Sequence, residues 1–159
     1  IGKYEEPPPF MTVIPLPHLK SIHIKRLDDE SIPVFIQIIN LNPQIVDVRV
    51  DHMFRRLDVR DFIASLGNVT KLTIPWFSDL GPMLHGHPML QSLNLIGQLD
   101  NDYNYDVLEL VQNIPCLYHF KTDHYHRNGA KAKHYCQLRK QNHKAYNITL
   151  VGLLLPKFY

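Results

Sequence analysis

Cysteine is scarce in this chain: two residues, Cys116 and Cys136, among 159. Both fall inside apolar patterns rather than in paired clusters, which argues against a disulfide framework and leads to the expectation of a reducing, intracellular setting, cytoplasmic or nuclear. An excess of one charge sign is missing too. Lys and Arg total 17 against 15 Asp and Glu, a formal net charge of +2, too balanced for a surface that coats nucleic acid or membrane. No apolar run approaches the roughly 18 residues of a membrane span, and no basic-then-apolar leader opens the chain. Partners of mixed charge, that is other proteins, suit this composition; nucleic acid and membrane do not.

The motifs of the common enzyme classes are also absent. There is no Gly-x-Ser-x-Gly elbow, no phosphate-cradling glycine loop and no His-Glu-x-x-His helix. Asp100, Asp102 and Asp106 cluster, yet without the spacing or terminal glutamate of a calcium loop, so caps and solvated turns account for them. Five of the ten histidines lie late, at His119, His124, His126, His134 and His143. Cys116-x-x-His119 and His134-x-Cys136 offer ligand types that zinc accepts, but not the paired spacing of structural zinc sites. No cofactor and no metal is expected; a zinc-dependent enzyme is the remote alternative.

What is present is a recurring spacing. Met89-Leu90-Gln91-Ser92-Leu93-Asn94-Leu95 spells Leu-x-x-Leu-x-Leu directly after Pro88. The same apolar spacing returns at Leu19/Ile22/Ile24, Ile45/Val48/Val50, Val69/Leu72/Ile74, Leu117/Phe120/Thr122 and Ala145/Ile148/Leu150. The middle anchors Ile22, Val48, Leu72, Leu93, Phe120 and Ile148 are separated by 26, 24, 21, 27 and 28 residues, within the roughly 20–29 typical of leucine-rich repeats. The expectation is therefore an α/β leucine-rich-repeat solenoid of about six repeats, with a parallel inner sheet and outer helices. No single strand-plus-helix unit can cover its own apolar side, so neighbours must stack.

Residues 1–10, with Pro7-Pro8-Pro9, read as an extended lead-in, and residues 11–159 as the repeat domain. Between the strands, Ser31 and Pro33 open a helix over Val34, Phe35, Ile38, Ile39 and Leu41 that Asn42-Pro43 stops. Asp58 is placed to cap a second, with Phe62, Ile63 and Leu66 on one face and Gly67 as a left-handed terminator. Gly81-Pro82 leave room for a turn or two around Met83 and Leu84. A polar, aromatic loop carrying Tyr103 and Tyr105 precedes the apolar face of Val107, Leu108, Leu110 and Val111, and a basic helical segment is expected from Ala130 to Gln141. The sequons at Asn68 and Asn147 overlap expected strands and are read as silent. The chain opens on Ile1 and apolar stretches stand near both ends, so a piece of a longer array is expected.

Along each strand, side chains alternate between core and surface, which lets the outward positions be named. They are Ser21/His23/Lys25, Asp47/Arg49/Asp51, Lys71/Thr73/Pro75, Ser92/Asn94/Ile96, His119/Lys121/Asp123 and Asn147/Thr149/Val151. Any half-exposed sheet alternates in this way. The arrayed shape adds a reason to read these positions as a partner-binding concave face. The candidate contact residues are His23, Arg49, Asp51, Lys71, Asn94, His119, Lys121 and Asp123, with Tyr103 and Tyr105 on the rim.

The alternating strands, the irregular repeat lengths and the prolines before them (Pro17, Pro43, Pro88, Pro115) resemble the leucine-rich-repeat half of F-box proteins, over roughly residues 10–155. Ribonuclease-inhibitor-like repeats share the architecture. Where many such repeats carry an Asn or Cys ladder, this chain has Leu27, Met53, Phe77, Gln98, Tyr125 and Leu153. The resemblance implies the substrate-binding region of an F-box-type ubiquitin-ligase receptor, touching a cullin-ligase adaptor only through an F-box outside this chain. A generic repeat scaffold or receptor is the alternative.

Overall fold

The computed structural model describes residues 13–54, 57–77, 79–96, 107–122 and 131–137. Within them, five strands form one sheet: β1 (Ser21–Leu27), β2 (Asp47–Met53), β3 (Lys71–Pro75), β4 (Ser92–Ile96) and β5 (His119–Thr122). Their spatial order is their chain order, and every neighbouring pair is parallel. Four helices lie between them in sequence: α1 (Ile32–Leu41), α2 (Arg60–Ser65), α3 (Leu80–Leu84) and α4 (Val107–Gln112). Residues 131–137 are helical as well. The sixth strand expected around Ile148 lies outside the described residues.

Register follows the anchors. Ile22 pairs with Val48, Val48 with Leu72, Leu72 with Leu93 and Leu93 with Phe120. These side chains and the next anchors Ile24, Val50, Ile74 and Leu95 meet Ile39, Phe62, Ile63, Leu80, Leu84, Leu110 and Val111 from the helices in one apolar cluster. Ala132 and Cys136, from the helical residues 131–137, are buried in the same cluster. Each helix supplies only a few buried residues, so its stability comes from this shared packing rather than from its own length.

The backbone repeats as faithfully as the apolar pattern. Two successive N–H groups share one carbonyl of the preceding unit at each strand entry: Val46 and Asp47 donate to Lys20 O, Thr70 and Lys71 to Val46 O, Gln91 and Ser92 to Thr70 O, and Tyr118 and His119 to Gln91 O, all at 2.8–3.2 Å. Ahead of these, a tight turn closes Leu19 N–H onto Leu16 O, Ile45 onto Asn42, Val69 onto Leu66 and Leu117 onto Ile114. In the unit leading to β4 the histidine ring takes over, and Leu90 N–H donates to His87 Nδ1 at 3.1 Å.

Asn42 and His87 hold equivalent places, each just before a proline, and both are buried. Asn42 Oδ1 accepts Leu16 N–H at 2.6 Å while its Nδ2 donates to Ile38 O at 2.8 Å. His87 Nδ1 accepts backbone N–H groups, which leaves Nε2 protonated to donate to Leu66 O at 3.0 Å. Burial holds its pKa below the usual imidazole value, because an added proton on Nδ1 would be desolvated, although the carbonyl contact works in the opposite direction. The apolar ladder positions Leu27, Met53 and Phe77 pack on or in the core, so polar ties between units have moved to the pre-proline site.

Several local expectations are corrected. Ser31 occupies the cap position of α1 but its hydroxyl makes no cap bond; it accepts Asp28 N–H, and Asp28 Oδ1 accepts Ser31 N–H. Hydrogen bonding from Ser31 to the Asp28 carboxyl, by its side chain first and then by its N–H, draws that carboxyl below its ordinary pKa. Asp58 stands one residue before the cap position, Val59, and accepts Arg60 N–H at 3.2 Å. The turn or two expected around Met83 and Leu84 is present as α3, which also takes in Gly81 and Pro82; Pro82 falls in the first turn, where its missing N–H has no intrahelical acceptor to lose. Gly67 is not left-handed. Among the described residues Gly86 alone has positive φ, 71°, and its N–H reaches Asn113 O at 2.8 Å. Asn68 lies in an exposed turn before β3, not in a strand.

Candidate functional site

The sheet side opposite the apolar anchors is polar, and register assembles it into rows. One row runs Ser21, Asp47, Lys71, Ser92, His119; the next runs His23, Arg49, Thr73, Asn94, Lys121. Residues 21–27 positions apart in sequence thus become neighbours, at the ~4.8 Å spacing of strands. Seven of the ten expected contact residues are brought together here: His23, Arg49, Asp51, Lys71, Asn94, His119 and Lys121. Tyr103, Tyr105 and Asp123 lie outside the described residues.

Asp51 is the junction of the face. Its carboxylate accepts Arg49 Nε and His23 Nε2, each at 2.6 Å, bridging β1 and β2. The Arg49 bond first, and then the His23 bond, hold the Asp51 carboxyl below the usual carboxylate range. Asp47 is similarly met by Lys71 Nζ at 3.2 Å. In both pairs the cation is the more exposed partner: Arg49 53% against Asp51 23%, and Lys71 58% against Asp47 35%. The carboxylates are therefore turned inward against neighbours while positive charge is presented to solvent.

Beyond these pairs, Lys25 and Lys121 are exposed and, among the described residues, have no ion-pair partner. Ser92 Oγ and His119 Nδ1 lie 3.0 Å apart across β4 and β5. Asn94 carries a buried carbonyl oxygen with no hydrogen-bond partner, a costly arrangement that most proteins avoid. Thr73, expected to face solvent, is only 5% exposed between Arg49 and Asn94 in the register.

Sequence reasoning missed the Ser92–His119 contact. The signal was present, because both residues occupy the first outward position of consecutive repeats. It also missed Asn42 and His87, whose pre-proline placement reads as ordinary turn chemistry. Among the described residues, no three His, Cys, Asp or Glu side chains group closely enough to hold a metal ion, and no helix is long and apolar enough to cross a membrane. His124, His126 and His143 lie outside the described residues. No protein-family model, no curated protein and no solved structure matches the chain.

Proposed function

We propose that the chain is a leucine-rich-repeat recognition module, a solenoid of about six repeats whose open, concave sheet face binds a protein partner. The single observation that supports this is the in-register row His23, Arg49, Thr73, Asn94, Lys121, polar at all five strands although only stacking brings the strands together. Any half-exposed sheet turns polar residues outward, but arrayed folds use such a face to grip partners. By resemblance of its repeats, the module is the substrate-binding region of an F-box-type ubiquitin-ligase receptor. The ligase adaptor would be met only through an F-box outside this chain.

Site-specific photo-crosslinking tests the reading. A benzophenone side chain placed at Ser21 or His119, both exposed on the open face, should yield discrete protein adducts in cell extract. The same group at Gln37 on α1 or Arg60 on α2, both exposed on the helical side, should yield few. Adducts from the helix positions alone would assign recognition to the wrong side. An adduct containing a substrate whose ubiquitination falls when the protein is removed would support the ligase role.

A further inference from the structure

The open face is more one-sided in charge than the chain as a whole, whose 17 basic residues stand against 15 acidic ones. Four cations, Lys25, Arg49, Lys71 and Lys121, stand on its described strands against two carboxylates, Asp47 and Asp51. Both carboxylates are already engaged by cations more exposed than themselves. An incoming chain would meet positive charge first, which favours a negative one.

Geometry sets the spacing. Arg49 on β2 and Lys121 on β5 are three strand intervals apart, about 14 Å at roughly 4.8 Å each, and an extended peptide covers that distance in about four residues at roughly 3.4 Å per residue. We infer that the face takes an extended acidic segment of a partner protein laid across the strands, with two carboxylates four residues apart on Arg49 and Lys121. This rests on the recognition reading above and gives its partner a chemistry. Arg49 keeps its terminal guanidinium nitrogens for the ligand, since Asp51 is met by Nε.

The test uses the full chain and a fluorescein-labelled heptapeptide, Gly-Asp-Gly-Ser-Gly-Asp-Gly, followed by anisotropy at low ionic strength. Saturable binding is expected, at least tenfold tighter than for a peptide with its acids two residues apart, and absent when lysines replace them. Arg49→Glu and Lys121→Glu should each weaken it at least tenfold. Arg60→Glu, on α2, should leave it unchanged, and matched thermal melts show that each variant is folded. Indifference to spacing, or equal affinity for a single-stranded oligonucleotide or phosphatidylserine vesicles, would overturn the assignment in favour of general attraction of anions. If open-face crosslinks capture a protein whose yield ignores both charge reversals, the acidic segment is wrong and the recognition face stands. If neither peptide nor crosslink engages the face, both fall.

Discussion

On the helix-facing side of the sheet the row Ile22, Val48, Leu72, Leu93, Phe120 repeats one kind of chemistry, while one residue further on the open-face row His23, Arg49, Thr73, Asn94, Lys121 changes at every strand. The first row must close a common core, so any strand that departed from it would leave a void or a stranded polar group. The second row is under no such demand. Under the recognition proposal, stability and binding are written on alternate residues of the same strands, and changes to one side should leave the other side's property intact.

The sharpest way to break that separation is to empty the core. Phe62→Ala, at a fully buried α2 site, should cost about 3–5 kcal/mol through lost burial and an unfilled cavity. Chemical denaturation would measure it, and binding at the open face should fail only as far as the unfolded fraction grows. A smaller effect is expected from Asn42→Ala, which removes the acceptor for Leu16 N–H and the donor to Ile38 O. Stranding those backbone groups should cost about 1–3 kcal/mol, read as a lowered denaturation midpoint.

His87 sharpens the comparison through pH. Its folded pKa is depressed by burial, so between that value and the unfolded value near 6.5 the unfolded chain binds more protons than the folded one. Its contribution is therefore complete above about pH 6.5 and is lost as pH falls toward the folded pKa. Thermal midpoints should decline between neutral and mildly acidic pH, with a shallower slope in His87→Gln. A slope unchanged by the substitution would mean that the buried ring is not the titrating group.

The strands were legible because their signal is periodic: every Leu-x-x-Leu-x-Leu anchor set that falls on described residues marks a strand of the parallel sheet. Helix edges were less so. Gly67 stands where a left-handed terminator is expected, yet Gly86 takes the positive φ, with its N–H held by Asn113 O. Thr73 illustrates a similar limit, since alternation assigns its face but not how deeply its neighbours cover it. At the candidate site, the residues were nameable from outward positions, whereas Asp51 serving His23 and Arg49 together depends on inter-strand register. No local pattern carries that information.

The most direct measurement pairs binding with stability in two double variants. Arg49→Glu with Lys121→Glu reverses the open face; Arg60→Glu with Lys133→Glu reverses exposed charges on α2 and on the helical residues 131–137. Both variants should stay folded: the helix-side pair should change stability by about 0.5 kcal/mol or less, and the open-face pair by about 1 kcal/mol, since Arg49→Glu breaks the surface ion pair with Asp51. Partner capture should fall at least tenfold in the open-face pair and remain in the helix-side pair. Capture that survives the open-face reversal and disappears with the helix-side one would contradict the account.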